Sequence, residues 1–278
     1  MPQTQIQFSR RLTMDVPFMP ASHLAFMLSR QRDNLNMAEP ELFKKIRGQL
    51  EPKMEREKNV AIVPVQGTLA YAPDLSEMIW DGVEDSRALL KMLDEAGSDD
   101  SIEGVLLRCD SPGGMMLGGV ELADSVAAMR AKKPVVAHIG GLGASLCYMI
   151  ASQATEVISS RSAIVGSIGV IASVTDYTKL LDDMGIKFEY FTNKEAKFKA
   201  AGAVGTSLSD AQREQLQASV DDAFQLFKGM VLSARPGVNL EAMQGQTFRD
   251  TKAREMGLVD RIGSESFAMS VLKSKMKK

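Results

Sequence analysis

Val135-Val136-Ala137-His138-Ile139-Gly140-Gly141-Leu142-Gly143-Ala144-Ser145-Leu146-Cys147-Tyr148 passes from one apolar run, through three glycines, into another. The first run is short and rich in β-branched residues, which predicts a strand over Val135–Ile139. The second reads as a helix over Ala144–Ser152. A strand that leaves through a glycine turn into a helix is the repeating unit of a crossover α/β fold. The same alternation extends outward in both directions. Upstream it predicts strands at Val60–Val65 and Ile102–Cys109, and helices at Asp85–Ala96 and Gly118–Ala131. Downstream it predicts strands at Glu156–Ser159, Ser167–Ser173 and Lys187–Thr192, with a helix at Tyr177–Met184. Helices are then expected at Ser209–Ala234, Thr251–Met256 and Glu265–Lys275. The reading is an α/β domain of stacked βαβ units over residues 59–265, with a helical basic tail over 266–278. Residues 1–58 are polar and charge-mixed, with helical patterns at Ala21–Arg32 and Glu39–Leu50, and read as an N-terminal helical arm or pro-segment.

The bulk numbers set the class. With 278 residues, 45% of them hydrophobic and 24% charged, the chain has ordinary globular composition. A formal charge of −2 provides no general basic field, which disfavours nucleic acid as the main partner. The only two cysteines, Cys109 and Cys147, lie in apolar runs and read as buried thiols in a reducing, cytoplasmic compartment. No apolar stretch has the length of a signal peptide or of a membrane anchor.

The glycine turns carry the chemistry. Asp110-Ser111-Pro112-Gly113-Gly114 follows a predicted strand, and its glycines leave backbone N–H groups free to approach a bound group. A tight turn with no further role has the same composition. Ser145 stands where a helix begins, and free N–H groups there favour developing negative charge. The N–H of Leu146 would join that of Gly114 as an oxyanion donor. Helix capping is the competing role for this serine. A serine nucleophile also needs a base. His23 lies in the arm and His138 on a strand, where it should pack against the sheet. A lysine can serve if burial lowers its pKa from about 10.4 toward 7–8. Lys197 and Lys199 share one side of an extended Asn193–Gly202 segment, so spacing does not choose between them.

Five segments stand in an order and spacing that resemble the signal peptide peptidase A family. They are Asp110–Gly114, Ala144–Tyr148, Gly166–Val170, Ala196–Lys199 and Ala253–Gly263. That family includes protease IV and the protein C-type head maturation proteases of tailed bacteriophages. The resemblance implies a crotonase-like (Clp-protease-like) α/β fold, a Ser-Lys dyad, and homo-oligomers in the form of rings or domes. It implies Ser145 as nucleophile and Lys199 as base, with Gly114 and Leu146 at the oxyanion positions and Gly113 supporting them. Gly166 to Val170, which includes Ile168, would line the substrate groove, and Ser167 would orient the lysine amine. No metal or cofactor is required. The lack of an anchor favours the phage branch. The expected partners are then scaffold, portal or coat proteins, or the chain's own termini, inside an assembling procapsid in the bacterial cytoplasm.

The chain departs from the family pattern at Leu146 and Cys147, where small residues are usual, and at Ala196, where glycine is. Bulk beside the serine predicts either a pocket narrowed to small side chains or a degenerate site. A soluble cellular protease of the same family is the alternative within the class. An acyl-CoA hydratase or isomerase and a non-catalytic ring-forming scaffold are the alternatives from other classes on the same fold.

Overall fold

The structure, a computed structural model, describes residues 47–276. The chain divides into the compact units Met1–Gly48 and Gln49–Lys278, and the second carries the sheet. The predicted helix Ala21–Arg32 and the start of that at Glu39–Leu50 lie outside the described residues, while 47–50 are helical.

Among the described residues nine strands form one sheet: β1 (Glu55–Glu57), β2 (Val60–Ala70), β3 (Val83–Asp85), β4 (Gly104–Gly114), β5 (Val135–Ala144), β6 (Glu156–Ser159), β7 (Ile164–Gly166), β8 (Thr247–Phe248) and β9 (Arg261–Ile262). The helices are α1 (Leu75–Trp80), α2 (Ser86–Ser98), α3 (Gly119–Arg130), α4 (Leu146–Ser152), α5 (Thr178–Asp183), α6 (Asp210–Ala234), α7 (Asp250–Glu255) and α8 (Glu265–Lys275). The main path is β1-β2-β4-β5-β6-β9, parallel from β2 onward. The architecture is the α/β fold expected.

Period-two alternation sends each strand's apolar residues to two faces. Ala61, Val63, Val105, Leu107, Val135, Ala137 and Val157 enter the larger core, together with residues of α2, α3, α4 and α6. Val60, Ile62, Leu106, Val136 and Ile158 point the other way and are covered by Ala268, Val271 and Leu272 of α8. The segment read as a basic tail therefore begins within a helix that closes the second face of the domain. Arg108 of β4 holds that helix with a forked contact to Glu265 at 2.8–3.1 Å.

Two strands outrun their neighbours, and this builds the site. β2 pairs with β1 near its start and with β3 at Thr68–Ala70. β5 pairs with β6 over Val136–Ile139 and then takes a second partner, β7, over Leu142–Ala144. Their C-terminal ends, with that of β4 between them, make the crevice where parallel sheets present ligand sites.

Two predicted strands are absent from the ladder. Ser167–Ser173 has no regular structure, because Ser167 at φ 51° turns the chain out of extended geometry. Lys187–Thr192 has the alternation of a strand but finds no neighbour among the described residues, and a lone strand leaves its backbone groups unpaired. Its aromatic rings partner locally instead. Phe188 and Tyr190 stack at 6.4 Å, and the Tyr190 hydroxyl donates to the Val204 carbonyl at 2.7 Å.

Candidate active site

β5 ends at Ala144 and α4 starts at Leu146, so Ser145 alone turns the chain between them. Its backbone adopts φ 52° and ψ −126°. A residue with a Cβ avoids this region at a cost of about 1–3 kcal/mol, and such strain is concentrated at functional sites. Two bonds hold the conformation. The Ser145 N–H donates to the Gly166 carbonyl at 2.9 Å, and its own carbonyl accepts the Met149 N–H at 3.0 Å. The side chain makes no capping bond, which removes the helix-cap explanation for this serine. It lines a cleft of about 620 Å³ instead.

The end of β4 presses against this turn. A Cβ on Gly113 would stand 2.7 Å from the Ser145 Cβ and 2.8 Å from the Leu146 nitrogen, and the residue's φ is +103°. Only glycine fits there. A Cβ on Gly114 would lie 1.8 Å from the Leu69 carbonyl oxygen, so glycine is also required where β4 meets β2. Leu146 opens α4, and its N–H belongs to the first turn, which has no intrahelical acceptors. Gly114 borders the cleft with Ser145.

Two side chains fix these turns, and the motif reading assigned neither a task. Ser111 is fully buried. Its hydroxyl donates to the Gly67 carbonyl at 2.5 Å and accepts the Gly113 N–H at 3.1 Å. Gly67 sits at φ +62°, where the β2–β4 register shifts. The Asp110 carboxylate accepts the Leu142 N–H at 2.9 Å and so ties the first glycine turn to the second. A serine two positions before a Gly-Gly pair was the available signal, but its partner is 44 residues away in sequence.

Leu146 and Cys147 do not narrow the cleft. Both side chains are buried in the larger core, and Leu146 packs on Gly119, so the expectation of a pocket restricted by their bulk gives way to an open, mostly apolar cleft. Ile168 is likewise fully buried in the core. The groove on that side is formed by Gly169, Val170, Ile171 and Ala172. Gly166 supplies the carbonyl that holds Ser145, and Ser167 follows it, half-buried, with its N–H on the Gln246 carbonyl at 2.7 Å. Because Ala144 pairs with Gly166, the two serines lie side by side at the ends of adjacent parallel strands. The opposite wall is α6, whose residues Leu216, Ser219, Val220 and Ala223 share one helical face.

Lys199 is exposed and is not among the residues lining the cleft. The extended path assumed for its segment is instead a chain of tight turns, with the Lys199 N–H on the Ala196 carbonyl and the Ala201 N–H on the Phe198 carbonyl. The Gln212 amide of α6 donates to the Lys197 carbonyl at 3.1 Å. Gln212, Leu216 and Val220 succeed one another at four-residue steps, so the loop is tied to the face that walls the cleft, about 6 Å further along the helix than Leu216.

His138 is buried on the sheet face away from Ser145, with its Nε2 3.3 Å from both the Gly263 carbonyl and the Ser160 hydroxyl. Burial lowers its pKa. It is not among the residues lining the cleft. Cys109 and Cys147 are free and buried, the Cys109 thiol donates to the Leu107 carbonyl at 3.8 Å, and the neighbouring Cys147 together with burial pushes the Cys109 thiol up.

The profile of peptidase family S49 matches residues 127–278, which include the Ser145 turn, the Gly166 strand, the lysine loop and the closing helix. The chain belongs to peptidase family S49. The S49 chain is 33% identical over 192 residues to a protein of Methanocaldococcus jannaschii whose name marks it as a candidate protease, covering 68% of this chain and 61% of that one. It is 29% identical over 217 residues to the capsid assembly protease C of Escherichia phage lambda, covering 77% of this chain and 48% of that one. The chain thus spans about half to three-fifths of these relatives. Among solved structures, an enoyl-CoA hydratase/isomerase from Acinetobacter baumannii aligns with TM-score 0.42 and 16% identity, over 80% of this chain and 78% of that one. No helix of the S49 chain's described residues is long and apolar enough to cross a membrane.

Proposed function

We propose that the chain is a serine endopeptidase in which Ser145 attacks a peptide carbonyl and Lys199 takes its proton. The same amine then passes the proton to the leaving nitrogen, and water hydrolyses the acyl-enzyme. The N–H groups of Gly114 and Leu146 would receive the oxyanion, each worth about 2.7–4 kcal/mol in the transition state. The observation that carries this reading is Ser145 itself, an uncapped serine held at φ 52° in a cleft and pressed against a glycine pair. An acyl-CoA enzyme of related fold needs no strained serine at this turn.

A lysine serves as a base where burial strips it of water, and Lys199 is exposed in the single chain. Self-assembly would supply the desolvation. The surface near the lysine loop supports this, because Ile171 and Phe191 are 89% and 93% exposed and Phe188 and Phe198 stand open as well. Apolar area of that kind marks an interaction face.

Labelling with a fluorophosphonate probe tests the reading. The unmodified protein should react, Ser145→Ala should not, and Lys199→Ala should react at least about 100-fold more slowly, the usual scale for a lost general base. An equal rate in Ser145→Ala would overturn the assignment.

The finer reading is head maturation in a phage or prophage, with scaffold, portal or coat protein as substrate. The likeness to capsid assembly protease C supports it. Co-expression with neighbouring capsid genes should yield shortened products that vanish with Lys199→Ala. Intact products from a protein that still labels at Ser145 would sink head maturation and leave the peptidase standing.

A further inference from the structure

The cleft that holds Ser145 is apolar along most of its lining, with Val83, Met116, Leu216 and Val220 among its walls. One lining side chain is ionisable, Glu77 of α1. Its carboxylate is not a loose surface group. One oxygen accepts the Asp74 N–H at 2.7 Å, while the Asp74 carboxylate accepts the Glu77 N–H at 3.0 Å, a reciprocal capping box that fixes the side chain at the start of the helix. Glu77 is half-buried, and no cation of the described residues forms an ion pair with it. A carboxylate locked in place, with its second oxygen bonded by none of the described residues and an apolar cleft beside it, is poised to accept a cation from outside the domain.

We propose that Glu77 is a specificity-determining residue, and that the cleft selects peptide segments in which an apolar side chain is accompanied by a lysine or arginine paired with this carboxylate. The proposal rests on the peptidase reading for its purpose, but the binding preference stands on the cleft's own chemistry. The apolar walls take the apolar side chain through burial of its surface. The fixed carboxylate discriminates by charge. An acidic side chain in the same place meets repulsion, and a neutral one gains nothing from the charge. The partner of Glu77 sits at a site partly open to solvent, so the preference for lysine over glutamine should be about fivefold, the upper range for such pairs.

Binding to the Ser145→Ala protein tests this without any need for turnover. Fluorescent octapeptides with one leucine, and with lysine, glutamine or glutamate scanned through the remaining positions, are titrated by anisotropy. At one or two positions lysine should bind about fivefold tighter than glutamine, and glutamate weaker than both. Glu77→Gln should level the lysine and glutamine peptides, and Glu77→Lys should invert the order in favour of glutamate. The inversion guards against a simple folding defect, because a damaged cleft loses all peptides alike. Equal binding of the three peptides to the unmodified cleft, or a lysine preference that survives Glu77→Lys, refutes the proposal. If the peptides show the preference while the fluorophosphonate never labels Ser145, the peptidase reading fails and the binding assignment remains.

Discussion

Replacing Ser111 by alanine isolates the device that holds the oxyanion turn. The hydroxyl bridges the Gly67 carbonyl and the Gly113 N–H, and the residue is fully buried. Alanine removes both bonds, and it strands the buried Gly113 N–H, whereas Gly67 is half-buried. A stranded buried group costs about 1–3 kcal/mol and an ordinary lost hydrogen bond about 1 kcal/mol, so the domain should lose about 2–4 kcal/mol in urea unfolding. The effect on rate has a separate origin. Gly113 lies against Ser145 and Leu146, and once its N–H is released the Gly114 amide loses its fixed aim. Complete loss of one oxyanion donor lowers kcat by about 10²–10³, and a loosened donor should fall short of that, at about 10–100-fold. KM should shift by less than about threefold, since the donor acts on charge that develops only in the transition state. Peptide hydrolysis and the rate of fluorophosphonate labelling at Ser145, measured on protein shown to be folded, check both numbers. A variant that is less stable by the expected amount but retains full kcat would refute the positioning role. One that is unchanged in stability would refute the account of the two bonds.

Two further outcomes concern the domain rather than the chemistry. The buried Tyr148 hydroxyl donates to the Leu258 carbonyl at 2.8 Å, so Tyr148→Phe should destabilise by about 1–2 kcal/mol in denaturant titration with little change in labelling rate. Hydrogen bonds from Arg108 hold the Glu265 carboxyl below its ordinary value of 4.5. The unfolded chain therefore takes up the proton first as pH drops, and the pair's contribution is complete above about 4.5 and lost as pH falls through the lower folded value. Both groups are about one-third exposed, which limits the contribution to about 0.5–1 kcal/mol. Between pH 6 and pH 3 the unmodified protein should lose that much more stability than Glu265→Gln, and parallel curves would show that the pair contributes nothing.

The parts of the fold legible in the sequence were those governed by local pattern. Short apolar runs located β4, β5 and β6, and the long periodic segment located α6 to within a residue at its start. The extensions of β4 to Gly114 and of β5 to Ala144 were not legible, because they depend on neighbours that arrive from elsewhere in the chain, β2 and β7. Lys187–Thr192 failed for the converse reason, since it has a strand's alternation and no strand to pair with. At the site, Ser145 and the two glycines could be found because strain and close approach restrict residue type. Ser111, Glu77 and the α6 wall could not. Ser111 matters through a partner 44 residues away, and the others through surfaces that meet only after folding. Lys199 remains the residue for which pattern and geometry differ most, as the motif names it and the isolated chain leaves it in solvent.

The lid that α8 forms over the sheet has a consequence for how the protein is made. Val60, Ile62, Leu106, Val136 and Ile158 emerge from the ribosome early, while the residues that cover them begin at Ala268. Throughout translation one flank of the nascent sheet therefore stays greasy and unshielded, even after the strands themselves have been synthesised. Vectorial synthesis delays the docking step until α8 has been made. Until then, holdase chaperones have a broad apolar strip to grip, and a polypeptide released short of Glu265 would be a substrate for quality control rather than a closed domain.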